Sequence, residues 1–366
     1  MSEKVKYILG IIGLTLFLLG VWYFRVIISY ILIAAAISIM GQPIIHLLEK
    51  INFKKKQLPR VFTAAVTLMV FWCVLVLFFR IFIPLIIMEA NELSTINVET
   101  FYTNLQQPFN ELQGVLQKLG YFEGDEEFQH FVTTKIVSVL DINSFSGIFS
   151  GVTSTLGTLL IAFFAISFMS FFFLKDASLF STGVLMFVPD KYVEEVKHVM
   201  ASVRHLLSRY LGGILIEVIM VMLLVTLGLW LIGIGFQHAL ICGLVSGILN
   251  VIPYIGPWIG ASFGIVIGVA TNTHLPFVSE LLPLMLYMVL VFALVQTIDN
   301  ILFQPLIYSS SVNAHPLEIF IVIMMAGSMA GVGGMVLAIP SYTVMRVIAK
   351  EFLSGFKVVQ KLTQNI

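Results

Sequence analysis

Charge is what this chain has least of. Lys, Arg, Asp and Glu make up 11 % of its 366 residues, twenty basic against twenty acidic, and the formal net charge is zero. That excludes the basic field by which a protein holds nucleic acid, and Lys54-Lys55-Lys56 is too short a run to supply one. Cysteine is nearly as scarce. Cys73 and Cys242 both fall in apolar segments, where neither a disulfide nor a metal centre is expected, and they read as packing residues. Catalytic constellations are missing too: there is no His-Glu-x-x-His, no Gly-x-Gly-Asp in a span, no Gly-x-Ser-Gly nucleophile paired with a membrane histidine, and no Gly-x-x-x-x-Gly-Lys-Ser/Thr loop. Those absences argue against an intramembrane enzyme and a nucleotide-driven pump. Neither enzymatic activity nor a cofactor or metal is expected.

What is present is apolar. Hydrophobic residues make up 59 % of the chain and the mean hydropathy is +1.01, the composition of an all-α polytopic membrane protein whose first partner is the lipid bilayer. Windows of ~20 residues predict spans at about 5–24, 26–48, 61–87, 149–174, 210–235 and 281–305. Two further apolar stretches, 238–270 and 317–345, each carry a central break and are too short for two spans and a turn; they read as re-entrant hairpins. The basic start at Lys4 and Lys6 imitates a signal peptide, but a second span follows at once, so an uncleaved first span is expected.

Basic residues set the orientation. With both termini cytoplasmic, Lys4, Lys6, Lys50, Lys54, Lys55, Lys56, Arg60, Lys175, Lys191, Lys197, Arg204, Arg209, Arg346, Lys350, Lys357 and Lys361 lie inside, sixteen of the twenty. Arg25, Lys118 and Lys135 lie outside and Arg80 within a span, as the positive-inside rule favours. The loop 306–316, placed inside, carries no Lys or Arg.

The expected organisation is a three-span bundle at 1–88, an extracytoplasmic amphipathic region at 89–148, a fourth span with a cytoplasmic linker helix at 149–209, a transport domain at 210–345 and a cytoplasmic tail at 346–366. Residues 89–148 hold nine acids against two lysines, with Phe101, Leu105, Phe109, Leu112, Leu116 and Leu119 at helical spacing. This region reads as a cover for the bundle in preference to a binding module. Residues 190–209 read as a second amphipathic helix on the membrane surface, with Asp190 as N-cap and Val193, Val196, Met200, Val203 and Leu207 on one face.

The chemistry-bearing positions fall in the C-terminal half. Pro253 and Pro257 each remove a backbone donor, and Gly256 between them tolerates non-helical angles, so the helix must unwind around Tyr254. Unwound backbone at membrane depth is tolerated where protein or a watery cavity satisfies it. Asn250 stands where the first half-helix ends, placed to satisfy orphan carbonyls or a ligand, and the half-helix after Pro257 turns its amides toward the break. Gly327, Ser328 and Gly331 mark a matching tip in the second hairpin, where tight helix packing by small residues is the competing reading. Gln296, Asp299, Asn300 and Gln304 fall on one helix face, which must look into protein or a cavity because an ionised Asp near the bilayer centre costs about 2.5–3.5 kcal/mol. A hydrogen-bond network between helices and a transport site both fit that face, and Glu217 fits either a structural partner or a transport acid. The pattern of a span followed by a hairpin occurs twice in opposite orientation, an inverted-repeat arrangement typical of secondary transporters.

At these residues the chain resembles the AI-2E family, the bacterial autoinducer-2 exporter family. The resemblance rests on Asn250-Val-Ile-Pro253-Tyr254-Ile-Gly256-Pro257, on Gln296 through Gln304-Pro305, on His315-Pro316, on Gly327, Gly331, Gly334 and Pro340, and on Tyr210-Leu211-Gly212. It implies eight hydrophobic segments in the bacterial cytoplasmic membrane, export of a small polar signal molecule, sodium/proton antiport in some relatives, and a ring-like homo-oligomer such as a pentamer. Where members often carry Glu in the Gln-rich span, this chain has Asp299, which leaves the role of that acid open. Asp299 and Glu217 are the ion-coupling candidates. A membrane scaffold that transports nothing is the alternative from another class.

Overall fold

The computed structural model describes residues 22–50, 58–94, 143–272, 275–308 and 315–363, with a few positions before residue 22. Most of the expected 5–24 span and of the 89–148 region lies outside the described residues, as do Lys54, Lys118 and Lys135. Every described element is helical. In chain order these are α1 (Arg25–Glu49), α2 (Arg60–Ser94), α3 (Asn143–Lys175), α4 (Leu179–Leu185), α5 (Val193–Leu231), α6 (Phe236–Leu249), α7 (Ile255–Thr271), α8 (Leu282–Ile298), α9 (Gln304–Tyr308), α10 (Pro316–Phe352) and α11 (Lys357–Leu362). Five helices are long and apolar enough to cross a membrane, or six if α3 and α4, bent by 95° at their junction, count as one broken span. The protein is thus an all-α polytopic membrane protein. At the bend, Asp176 accepts hydrogen bonds from the amide and hydroxyl of Ser178.

The chain forms two compact units. The first comprises residues up to Val74 together with Thr153–Arg204. Its core is Ile45 of α1, Ala64 of α2 and Leu174 of α3. Gly41 lets these helices close up, since a Cβ there would lie 2.6 Å from Leu174 and 3.0 Å from Thr67. The second unit comprises Leu75–Val152 and His205–Ile366.

Residues 190–209 do not form a separate linker. They open with a 3₁₀ turn at Asp190–Tyr192 and run without a break into the span as the first half of α5. Pro189 precedes that turn, so Asp190 is not the helix cap. Hydropathy changes at Arg209, whereas helix propensity does not: neither glycine nor proline occurs between Val193 and Leu211, and backbone bonding continues through the change of solvent.

Both broken stretches are hairpins. In the first, α6 and α7 are antiparallel around a turn at 250–254, and Tyr254, at φ 67 and ψ −45, is the centre of a γ-turn closed by the Ile255 N–H on Pro253 O, from which α7 opens. The N–H of Gly256 bonds Ile252 O, and a Cβ at Gly256 would strike the Leu249 carbonyl. Gly243 and Gly247 bring α6 onto α5, where a Cβ would meet Thr226 and Met222 at the one and the Val218 carbonyl, at 2.7 Å, at the other. Gly260, Gly264 and Gly268, one turn apart on α7, admit Ser246, Phe292 and Met288. Close approach through small residues replaces the hydrophobic drive that lipid removes.

The second hairpin is α10. Its backbone leaves the helical region at Ala330 and at Gly331, φ 59. A Cβ at Gly334 would strike the Ala326 carbonyl, and one at Gly327 the Met335 side chain, so the limbs fold back on each other. Their outer ends return to one place: His315 and Glu318 form a capping box at the start, and the Glu318 carboxylate faces Arg346 near the end.

Candidate functional site

Asp299 begins a π turn, Asp299–Phe303, between α8 and α9. Its cause is local. Pro305 has no N–H for the Ile301 carbonyl, and its ring crowds that oxygen, so the helix widens ahead of it. The wider turn brings Gln304, five positions on, under the same carboxylate: its Nε2 donates to Asp299 Oδ2 at 2.9 Å. Gln296 Nε2 donates to the same oxygen at 3.4 Å and to Asn300 Oδ1 at 3.1 Å. The predicted polar face therefore exists as a side-chain network with the carboxylate as its hub.

That carboxylate is fully buried, and it is not alone. The carboxyl group of Glu217, on α5 and 2 % exposed, lies beside it within hydrogen-bonding reach. Asn250 Nδ2, at the end of α6, donates to Glu217 Oε1 at 3.1 Å. Asn250 thus binds a carboxylate, not the orphan carbonyls of its own half-helix. Asp299 Oδ1 is buried with no hydrogen-bond partner. Two buried carboxyl groups side by side are tolerated when a proton or a cation sits between them, because like charges in a medium of low polarity repel strongly.

The remaining predicted residues divide. Tyr254, at the first hairpin's tip, packs edge-on against Phe320 with ring centroids 5.8 Å apart. Ile252 joins Tyr210, Ile319, Ile323, Ala338 and Ile339 in a buried cluster that Tyr254 lies against. Pro253, Gly256 and Pro257 shape this tip and present no side-chain donor. Ser328 Oγ donates to Met325 O of its own limb, beside Gly327 and Gly331, so the second tip is not brought to the carboxyl pair by any of these contacts. The first tip meets the outer half of the second hairpin's first limb, at Ile319, Phe320 and Ile323, and the inner half of its second, at Ala338 and Ile339. Tyr210 also borders the site, on the α5 face that carries Glu217. Among the described residues, no group of three or more His, Cys, Asp or Glu is arranged to hold a metal ion.

Residues 11–354 match the family model described as AI-2E family transporter. Two relatives come from Bacillus subtilis (strain 168). "Putative transport protein YueF" is 25 % identical over 349 residues, which cover 90 % of this chain and 85 % of the relative. "Putative transport protein YrrI" is 26 % identical over 207 residues, 57 % of this chain and 55 % of the relative.

Proposed function

This chain belongs to the AI-2E transporter family, and from that premise we propose that it is an ion-coupled secondary transporter whose coupling centre is the Glu217–Asp299 carboxyl pair. The observation that carries the reading is the pairing itself: two acids from different helices, both buried, share one site with the amides of Asn250, Gln296 and Gln304. A buried acid pair can store a proton or a cation on one side of a membrane and release it on the other, provided its surroundings change with occupancy. Asn250 supplies that link, because the residue that holds Glu217 also ends the first arm of a hairpin. Loading the pair alters the Asn250–Glu217 bond and therefore the hairpin tip, which is how occupancy and alternating access become one event.

The cargo we favour is a small polar molecule of the autoinducer-2 kind, moved outward, with Gln296, Asn300 and Gln304 as its hydrogen-bonding groups. Sodium/proton antiport is the second reading. What favours it is the pair of carboxyls itself, hard oxygen donors of the kind that take a hard cation in exchange for a proton. The full chain in proteoliposomes separates the readings, with labelled autoinducer-2 in one set and sodium-driven proton movement, read by a trapped pH dye, in the other. Signal flux that responds to a pH gradient supports the first, and proton movement without signal flux supports the antiporter. Neither flux overturns both and leaves the scaffold.

A further inference from the structure

On α5, Tyr210 precedes Glu217 by two helical turns, about 10 Å toward the side assigned to the cytoplasm. Its side chain is 3 % exposed and faces Glu217. Packed with it are Ile252 of the first hairpin's tip, Ile319 and Ile323 of the second hairpin's first limb, and Ala338 and Ile339 of its second, none more than 7 % exposed. Three separate pieces of chain thus close over one side of the carboxyl pair. In that layer only Tyr210 carries a polar side-chain atom.

Tyr254 lies against the same layer, with its ring edge-on to Phe320. The γ-turn at its centre is of the rare, strained kind, which glycine would enter freely. A tyrosine held in it implies that the ring is what the position needs. The tip around it is tightly closed: Ile252 N–H bonds Leu249 O, Ile255 N–H bonds Pro253 O, and Gly256 N–H bonds Ile252 O. It therefore moves as one piece. Tyr342 borders the layer on the second limb, and the Arg346 guanidinium, one turn on, lies over its ring at 5.6 Å and faces Glu318 of the first limb. From the open end of α10 inward, the order is a charge pair, an aromatic ring, an apolar layer and then the carboxyl pair.

We propose that the first hairpin's tip is the inner gate of this protein. Ile252 and Tyr254, seated on Tyr210 and on both limbs of the second hairpin, bar the cytoplasmic approach to the carboxyl pair, and Glu318 with Arg346 holds together the limbs on which the tip sits. The proposal rests on the coupling reading above. A dry apolar constriction stops hydrated ions and polar molecules without any plug of opposite charge. Asn250 connects the gate to the load, since it bonds Glu217 and stands two residues before Ile252. Opening is the lifting of the tip from Tyr210 as a unit, and the structure is the state closed on that side.

The test has two arms, both on the full chain lacking Cys73 and Cys242. In inside-out membrane vesicles, Ile214→Cys, on the α5 face between Tyr210 and Glu217, should react slowly with an impermeant, positively charged methanethiosulfonate. Tyr254→Gly, which removes the ring and suits the turn, and Arg346→Gln should each speed that reaction by about ten-fold or more. Size exclusion of the purified variants checks folding, and Tyr254→Gly decides alone if Arg346→Gln does not fold. An unchanged rate overturns the gate. In proteoliposomes, Tyr254→Cys with Phe320→Cys, whose parent rings have centroids 5.8 Å apart, should lose flux when bridged by a short bifunctional methanethiosulfonate and regain it on reduction. Parental flux through the bridged protein also overturns the gate. If the parent moves neither protons nor cargo, the coupling reading falls, and the labelling arm still decides whether the tip bars the way to the buried acids.

Discussion

Asn250 is the residue on which the proposed coupling turns, because it joins a buried carboxyl group to the end of a hairpin arm. Its amide donates to Glu217 Oε1, and a carboxylate accepts that bond more strongly than a neutral acid does. Asn250→Leu should therefore leave the carboxyl pair in place but uncouple it, so that proton movement without cargo rises relative to coupled flux; the ratio of the two fluxes in proteoliposomes checks this. Glu217→Gln and Asp299→Asn each remove one titrating member of the pair. Each should abolish the pH dependence of flux, and the double variant should lose no more than the worse single one, because the two act as a unit. Additive losses in pH–rate profiles of the three variants would show independent roles. At this scale the sequence was half legible. Polar side chains in an apolar run announce themselves, so Glu217, Asn250 and Asp299 stand out. That they meet was not readable, because they come from three separate helices and only tertiary packing joins them. The pair formed by Glu89 of α2 and His238 of α6, 3.0 Å apart, escaped notice because an acid and a histidine at the ends of apolar stretches look like ordinary interfacial residues.

Helix breaks are legible from sequence when proline or glycine enforces them, and both hairpins are bent where those residues fall. The continuity of α5 was hidden because hydropathy reports solvent and not backbone bonding. The π turn at Asp299–Phe303 was hidden as well, since Pro305 predicts a disturbed helix without saying how the chain relieves it. Glycine positions give a graded test of the hairpin packing. A Cβ at Gly243 or Gly256 would strike backbone carbonyls that cannot move aside, whereas Gly212 has nothing within 4 Å. Gly243→Ala and Gly256→Ala should each destabilise by about 1–3 kcal/mol as overpacked sites do, and Gly212→Ala should be neutral or slightly stabilising through helix propensity. Gly331 is different in kind, because there is room around it but its φ is 59. Gly331→Ala should cost about 1–3 kcal/mol from the backbone alone, because φ 59 with ψ −146 is a conformation essentially confined to glycine. Thermal unfolding of the detergent-purified variants, followed by loss of the folded species on size exclusion, ranks all four.

Taken whole, the C-terminal half repeats one plan: α5 is followed by the hairpin α6–α7, and the α8–α9 span by the hairpin α10. At 1.5 Å per residue α6 is about 21 Å long and α7 about 26 Å, and the limbs of α10 on either side of its kink are about 22 and 32 Å, so only the last reaches the ~30 Å of a hydrocarbon core. A hairpin that does not cross returns to the side it left, and the Glu318–Arg346 apposition at the open end of α10 accords with that return. With the expected span at 5–24 counted and both hairpins returning, six full crossings are expected, which would leave both termini on one side. Which side is a matter of charge: sixteen of the twenty basic residues fall on the side assigned to the cytoplasm, and moving them across would oppose the positive-inside bias. The expected outcome is specific. In a chain lacking Cys73 and Cys242, single cysteines at Lys197 and Lys357 should resist an impermeant maleimide in intact cells and react once the membrane is opened. A cysteine at Asp125 should react in intact cells. Labelling of Lys197→Cys alone from outside would place the first half of α5 on the opposite face from the tail and require an odd number of crossings after it, so that one of the two hairpins spans the bilayer. Labelling of both from outside would invert the protein, and with it the direction in which the carboxyl pair delivers its proton.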